Sequence, residues 1–348
     1  MKRSILTKNE EKVLCGLVKF PEMNHSELSK KIKVKLSTLA AIKNRLISEG
    51  FLRYFNVPIV SRLGCELLAV IYTQFNPVIP LEERVKTTRK TIEVFPEIFF
   101  SVGEQEKGFS ISLSSNYTTI SRINEIRTET FGEVGLLEKE YPNEVIFSFQ
   151  NSQFYRFFDF SKVISKRYGI NSDNEKYNNW FEDLDQINLT SKEKAAFVQI
   201  VRHPNFTTQQ IGDLVGFSRH TVSRMKKKYF DMHLIKQIVI PDLKKLGIEI
   251  LAFYHIKFNP HNPPTEKDIE YLDTFSTIFL ASKKFEIILI SAYPTYQDYK
   301  EDKMKKIRHL KEKDIISYTP LVRKYIIDKM TVIKDFDFAP MAQKILEM

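Results

Sequence analysis

One stretch decides the fold: TTQQIGDLVGFSRHTVSRMKKK, which runs from Thr207 to Lys228. Its first part spaces apolar residues as a short amphipathic helix does. Gly216 suits a tight turn after that helix, because glycine adopts left-handed backbone angles freely. A longer helix is expected from Arg219 to His233. A short helix, a tight turn and a longer helix follow one another in a helix-turn-helix unit.

The same pattern occurs twice in the chain. When the sequence is shifted by 183 positions, residues 7–77 align with residues 190–260 without a gap, and 15 of the 71 pairs are identical. The identical pairs include Phe75-Asn76-Pro77 with Phe258-Asn259-Pro260. Apolar positions correspond even where identity fails, as in Leu39 with Val222. The repeat therefore predicts two copies of one folding pattern, core included.

Each copy has the signals of a winged head. Thr7-x-x-Glu10 and Thr190-x-x-Glu193 predict capping boxes at the start of a first helix. The third helix of the first copy is expected from Ser37 to Glu49. After each third helix, residues 51–57 and 234–240 are β-prone and stop at a proline, as a wing strand would. A three-helix bundle with no DNA role is the alternative interpretation.

The segments after the heads also match one another. Each predicts the order βαββαβ, which is the ferredoxin-like split βαβ arrangement, so the expected fold class is α+β. The expected strands and helices are 67–75, 81–94, 98–103, 109–114, 118–130 and 135–141 in the first copy, and 250–258, 265–275, 278–282, 285–292, 296–311 and 315–327 in the second. Two helices cover one face of such a sheet. The other face must be buried by pairing within the chain or with another chain.

Composition narrows the function classes. Lys and Arg outnumber Asp and Glu by 53 to 43, which gives a formal net charge of +10 and favours a polyanionic partner. Cys15 and Cys65 form neither a metal-ligand spacing nor a disulfide framework. No apolar run reaches membrane-spanning length, so we expect a cytoplasmic protein with no membrane partner. Only eleven glycines are present, and no glycine-rich phosphate loop is found among them.

A family resemblance rests on the residues that follow each third helix. Leu46-x-x-Glu49-Gly50-Phe51-Leu52, then Leu63-Gly64 and the strand Leu67 to Val70, resemble the Lrp/AsnC family of feast/famine regulators. The second copy repeats Leu-Gly and the strand at Leu246-Gly247 and Ile250 to Phe253. The resemblance implies a winged helix-turn-helix joined to a ferredoxin-like effector and oligomerisation (RAM-type) domain, in a prokaryotic and most often archaeal or bacterial protein.

The chain departs from that family in two ways. It holds two copies where family chains usually hold one, and the turn that resembles the family's amino-acid pocket, Gly103-Glu104, becomes Lys283-Lys284-Phe285-Glu286 in the second copy. Whether a small-molecule effector binds is therefore open. The expected domains are winged head 1 (1–61), RAM-type domain 1 (62–150), a connector (151–186), winged head 2 (187–244) and RAM-type domain 2 with a C-terminal tail (245–348).

The third helices would enter the major groove of DNA. In the second copy, Val222, Met225 and Tyr229 are expected to face the core, which turns the opposite face outward. Arginine on that face can bridge the O6 and N7 atoms of guanine, whereas lysines and capping hydroxyls suit phosphates. The residues expected at the DNA are Lys35, Ser37, Thr38, Ala41, Lys43, Asn44 and Arg45 in the first copy, and Ser218, Arg219, His220, Thr221, Ser223, Arg224, Lys226, Lys227 and Lys228 in the second.

The main hypothesis is thus a sequence-specific regulator that binds double-stranded DNA as an intramolecular pseudo-dimer, and a homodimer of whole chains is left open. Two alternatives are a non-DNA interaction scaffold and an enzyme, since siroheme decarboxylases are similar in fold to the Lrp/AsnC family. The histidines argue against the enzyme, because His255, His261 and His309 are scattered without a clustered acid, nucleophile or metal set. We therefore expect no enzymatic activity, no cofactor and no metal.

Overall fold

The computed structural model describes residues 6–138, 140–170, 179–181 and 185–347. The polar stretch from Asn171 to Lys176 in the expected connector lies outside these residues.

The first part of the chain builds one three-helix head, one sheet with its helices, and a short strand and helix beyond them. In chain order the elements are α1 (Lys8–Lys19), α2 (His25–Ile32), α3 (Leu36–Ser48), β1 (Leu52–Pro58), β2 (Leu67–Gln74), α4 (Leu81–Glu93), β3 (Ile98–Gly103), β4 (Lys107–Ser114), α5 (Tyr117–Glu133), β5 (Asn143–Ser148), β6 (Gln153–Arg156) and α6 (Ser161–Tyr168). A 3₁₀ turn, Val60–Leu63, separates β1 from β2.

The second part repeats that order. Its elements are α7 (Ser191–Arg202), α8 (Thr208–Val215), α9 (Arg219–Asp231), β7 (Ile235–Pro241), β8 (Ile250–Lys257), α10 (Glu266–Leu272), β9 (Thr277–Lys283), β10 (Glu286–Tyr293), α11 (Tyr296–Glu312), β11 (Leu321–Ile326), β12 (Thr331–Lys334) and α12 (Ala339–Ile345).

Local signals in the sequence place the helices of each head. At the start of α7, Glu193 N donates to Thr190 Oγ1 and Thr190 N donates to Glu193 Oε2 at 3.0 Å, which forms the expected capping box. The turn before α9 has Gly216 at φ 72°, in the left-handed region that favours glycine. Ser218 accepts from Thr221 N and caps α9.

Both sheets have the ferredoxin-like order. The strands lie in the order β12-β3-β4-β2-β5 in one sheet and β11-β8-β10-β9-β6 in the other. All the strand pairs recorded in them are antiparallel. The α+β fold with its duplicated pattern is therefore confirmed.

Several elements differ from the sequence-based expectation. The closing strand of the first copy is β5, Asn143–Ser148, and not 135–141, where Leu137 makes only an isolated bridge with Phe75. The connector and the C-terminal tail each supply a fifth strand, β6 and β12, which pair with β9 and β3. These two strands have four residues each, too few for a periodic pattern to predict them.

The wing strands also differ from the expected form. β1 and β7 pair with one another in a two-stranded sheet, so neither belongs to a wing hairpin of its own copy. Each copy supplies one strand after its third helix, and a strand needs a partner for its backbone groups.

The chain forms two compact units that each mix the two halves of the sequence. Unit 1 contains residues 1–55, 153–180 and 237–328, and unit 2 contains residues 56–152, 181–236 and 329–348. Unit 1 thus joins the first head to the sheet of the second copy, and unit 2 joins the second head to the sheet of the first copy. The two heads resemble one another, and so do the two sheets. The sequence pattern is therefore compatible with each head packing on the sheet of its own copy or on that of the other copy.

Unit 1 is held together by the segment around β6 and α6. Helix α6 packs against both α1 and β9. Arg156 of β6 donates to Asp273 at 2.5 Å, and Lys162 of α6 donates to the other oxygen of the same carboxylate at 2.7 Å. Arg156 and Asp273 are both buried. Their charges are paired, which a buried ion requires.

Unit 2 is closed by the end of the chain. Strand β12 pairs with β3, and α12 packs on α7 of the second head. Lys194 donates to the backbone oxygen of Leu346 at 3.0 Å, and Asn56 donates to the backbone oxygen of Ile200 at 2.8 Å. The C-terminal segment therefore belongs to the fold of this unit.

Candidate functional site

An imidazole and a carboxylate meet on one face of the unit 1 sheet. His255 Nε2 donates to Glu286 Oε1 at 2.5 Å. Tyr254 and Ile256, on either side of His255 in β8, belong to the core beneath α10 and α11. Because side chains alternate along a strand, His255 points to the sheet face opposite the helices. The pair therefore lies on the face that the unit's own helices do not cover.

Two cations accompany this pair. Lys283 donates to Glu286 Oε2 at 2.7 Å across the β9–β10 hairpin. Arg323 of β11 lies opposite Phe253, two residues before His255, and therefore shares its face of the sheet. Both His255 and Arg323 are buried. We call His255, Lys283, Glu286 and Arg323 the imidazole cluster.

The carboxylate of this cluster is ionised. Burial raises the pKa of Glu286, but hydrogen bonds from His255 and Lys283 outweigh burial and bring the pKa to about 2. An ionised carboxylate orients the ring that donates to it. A histidine held in this way, with cations on the same sheet face, can bind an anionic substrate and transfer a proton.

Sequence reasoning missed this cluster. The sequence predicted histidines without a clustered acid, nucleophile or metal set, but two of them each lie beside one carboxylate, since His309 Nε2 also lies 3.0 Å from Asp268 Oδ1. The available signal was the antiparallel pairing of β8 with β10, which brings Ile288 opposite His255 and leaves Glu286 on the same face. Residues 31 positions apart in sequence become neighbours only through that register.

The second candidate site is the exposed face of α9 in unit 2. Val222 and Tyr229 are fully buried, and Met225 is partly buried. The expected base-reading residues are on the other side and are all exposed: Arg219, His220, Ser223, Arg224 and Lys227. The helix thus presents a cationic surface.

Some cations expected at phosphates are engaged within the protein. Lys228 donates to Glu193 Oε1 at 2.6 Å, and this hydrogen bond is the largest contribution that brings the pKa of Glu193 to about 2. Burial lowers the pKa of Lys226, which is only partly exposed. The hydroxyls of Ser218 and Thr221 lie 3.0 Å apart at the helix start. Lys228 therefore pairs with a carboxylate of its own head, and Lys226 is partly enclosed by that head.

The first head has a less charged surface. Ser37, Ala41 and Asn44 of α3 are exposed and Thr38 is partly exposed, with Lys35 exposed just before the helix. The cations of α3 make contacts inside the head: Lys43 Nζ lies 2.9 Å from His25 Nε2, and Arg45 pairs with Glu10 at 2.6 Å.

No protein-family model matches the chain, and no curated protein matches it. Among solved structures, that of the siroheme decarboxylase NirDL covers 98% of this chain and 99% of its own, with a TM-score of 0.51 and 12% identity. An AsnC-family transcriptional regulatory protein from Pyrococcus furiosus covers 41% of this chain and 88% of its own, with a TM-score of 0.30 and 22% identity. The structure of AsnC from E. coli covers 40% of this chain and 92% of its own, with a TM-score of 0.31 and 13% identity.

These comparisons show what fold the chain has. The chain has the architecture of NirDL over its whole length, and regulators of the Lrp/AsnC type are neighbours over about two fifths of it. The expectation that the chain is not an enzyme is corrected, because a solved structure that covers 98% of the chain is that of an enzyme, the siroheme decarboxylase NirDL. Nothing in the comparisons supports an archaeal origin.

The described residues include no helix that is both long and apolar enough to cross a bilayer. They also contain no group of three or more His, Cys, Asp or Glu side chains arranged to hold a metal ion.

Proposed function

We propose that the chain is an enzyme that decarboxylates a polycarboxylated tetrapyrrole of the siroheme type, and that the imidazole cluster of unit 1 is its reaction site. The proposal rests on the end-to-end correspondence in architecture with the siroheme decarboxylase NirDL. The imidazole cluster contributes the chemistry, since it combines a histidine, an ionised carboxylate and two cations on one sheet face.

The reaction needs few groups from the protein. A side-chain carboxylate of the substrate leaves as CO₂, the carbon–carbon bond breaks, and the electron pair that stays on carbon takes up a proton. In this proposal Arg323 and Lys283 bind substrate carboxylates, because guanidinium and ammonium groups form charge-assisted hydrogen bonds with them. His255 supplies the proton, and Glu286 holds the ring in position.

The test is a decarboxylation assay on the purified full-length chain. Siroheme is added without oxygen, binding is followed by the change in its absorption bands, and products are identified by the mass lost as CO₂. His255→Gln should lower turnover by roughly 10²- to 10⁴-fold, which is the usual contribution of a general acid. The matched control is His309→Gln, which removes an imidazole that also lies beside a carboxylate in the same unit. If the wild-type chain neither shifts the siroheme spectrum nor releases CO₂, the proposal is wrong.

A second proposal concerns the heads, namely that α9 binds duplex DNA. It is favoured by the exposed row of Arg219, Arg224 and Lys227. The measurement is fluorescence anisotropy with random duplexes, in which log affinity should fall against log salt by about 0.9 per phosphate neutralised. Arg122→Gln is the control, since Arg122 is an exposed arginine of α5 in the same unit. Binding by the heads and catalysis at the sheet are separable, so either result leaves the other proposal open to its own test.

A further inference from the structure

Each sheet is covered by a long helix that buries one cation at the same position. Lys306 of α11 is 1% exposed and Arg127 of α5 is 2% exposed. The two helices are both 17 residues long and begin at Tyr296 and Tyr117. Counted from those starts, Lys306 and Arg127 occupy equivalent positions. The duplication has thus kept a buried positive charge in both units.

In unit 1 this charge is balanced. Lys306 forms an ion pair with Asp302, one helical turn earlier. Asp302 Oδ2 also accepts from the hydroxyls of Tyr293 at 2.7 Å and Ser276 at 2.9 Å. Burial raises the pKa of Asp302, but the charge of Lys306 and these hydrogen bonds outweigh burial and lower it. The carboxylate is therefore ionised and neutralises the buried ammonium.

In unit 2 the corresponding carboxylate is missing. Ile123 occupies the position on α5 that Asp302 occupies on α11. Arg127 Nη1 donates to Ser110 Oγ at 2.8 Å, while its Nε, which is also buried, has no hydrogen-bond partner among the described residues. Burial alone lowers the pKa of Arg127 to about 10. The guanidinium remains charged at neutral pH, and burying a charge without a counter-ion is costly.

The surroundings of Arg127 add hydrogen-bond donors. The hydroxyls of Ser112 on β4 and Thr88 on α4 are buried and make no hydrogen bond within the described part of the chain. Ser112 lies opposite Ala69 of the unit 2 core in the β2–β4 register, and Ser110, which accepts from Arg127, lies two residues before it on the same face of the strand. The core therefore offers hydrogen-bond donors beside a buried guanidinium.

We propose that unit 2 binds a small monovalent anion between α5 and its sheet, where it neutralises Arg127 as Asp302 neutralises Lys306 in unit 1. The anion accepts from Arg127 Nε and from the Ser112 hydroxyl. The Asn124 amide, whose buried oxygen has no donor, can turn its NH₂ group toward the anion. Chloride and a short carboxylate such as acetate share the required chemistry. This site is distinct from the imidazole cluster and does not depend on either proposed function.

Binding should be seen as a local stabilisation of α5. Because Arg127 is almost fully buried, the anion enters only when α5 opens from the sheet. A ligand that binds only the closed form lowers the equilibrium constant for opening. At ligand concentrations well above Kd, this constant falls in inverse proportion to the ligand concentration. The amide exchange rate of α5 should then fall about tenfold for each tenfold increase in anion concentration. Helix α11 should not respond, because its buried Lys306 is already paired with the carboxylate of Asp302.

The experiment is hydrogen exchange with mass spectrometry on the full-length chain. Chloride and acetate are each titrated at fixed ionic strength against the bulkier methanesulfonate, and peptides of α5 and α11 are compared in the same sample. A response to chloride alone, to acetate alone or to both supports the site and identifies its ligand. Equal protection of α5 and α11, or no effect of either anion on α5, overturns the proposal.

Two variants separate a bound anion from a general effect of salt. Ile123→Asp places a carboxylate one turn before Arg127, so α5 should be protected without added anion and should lose its response. Arg127→Leu removes the charge and should also remove the response. The exposed Arg122→Leu is the matched control and should keep it. A response that persists in Ile123→Asp would contradict the proposal even if Arg127→Leu failed to fold.

Discussion

Lys306 and Asp302 form an ion pair inside unit 1, in which both side chains are almost completely buried. Removing one partner of such a pair leaves the other charged in the core, which typically costs 3–5 kcal/mol. We expect Asp302→Ala to destabilise unit 1 by about that amount. Urea unfolding can be followed by the fluorescence of Trp180, the single tryptophan of the chain, which belongs to unit 1.

The control for this prediction replaces both charges. The double variant Asp302→Leu with Lys306→Met buries no ion and should recover most of the lost stability, because apolar replacements of buried pairs are often neutral. A cost below about 1 kcal/mol for Asp302→Ala alone would show that water reaches the ammonium and that the pair contributes little.

The imidazole cluster should make the free energy of unfolding depend on pH in the acid range. Glu286 has an ordinary pKa of 4.5 and a folded-state pKa of about 2. A lowered carboxyl pKa stabilises the fold fully above the unfolded-state value, and this contribution is lost as the pH falls from about 4.5 toward 2. The urea midpoint of the wild-type chain should therefore decrease through that range more steeply than that of Glu286→Gln. Parallel curves for the two proteins would mean that the His255 and Lys283 contacts do not form in solution.

The turn of the second head tolerates no side chain at Gly212. A Cβ atom there would lie 2.5 Å from the backbone oxygen of Phe217, and backbone atoms cannot move aside cheaply. Gly212→Ala should therefore lower the melting temperature of unit 2 and separate α8 from α9. Gly132→Ala is the control, because Gly132 lies in α5 with nothing within 4 Å of the added atom. It should be neutral or stabilise by about 0.5–1 kcal/mol, as alanine favours helices over glycine. Equal melting temperatures for the two variants would contradict the predicted clash.

The heads could be predicted from sequence because their signals are local. The third helix of the second copy was expected from Arg219, and α9 begins there. Capping residues, a turn glycine and helical spacing all act within a few positions of each other. The exchange of heads and sheets between the two halves has no such signal, since a duplicated pattern offers each head two equally suitable sheets.

The imidazole cluster and the buried cations depend on long-range geometry. His255 and Glu286 meet only through the register of β8 and β10. Arg127 is one of five charged residues among the seventeen of α5, and the sequence gives no sign that this one is buried. Only the comparison with α11 shows that Arg127 occupies the position of the ion-paired Lys306 and lacks its carboxylate. Such sites require the packed structure, in which equivalent positions can be compared residue by residue.

The final prediction concerns base reading by α9 and rests on the proposal that the heads bind DNA. Arg219 and Arg224 are exposed on the face opposite Val222, so they can reach base edges in a major groove. Replacing either by alanine should cost about 1–3 kcal/mol on the preferred site and relax discrimination there. Lys35→Ala in the first head should weaken binding to all DNA sequences about equally, since a lysine at the start of α3 is expected to contact phosphates. Each variant is titrated on a selected duplex and on a scrambled one. If the arginine variants lose both affinities in parallel, these arginines contact phosphates and the bases are read by other residues.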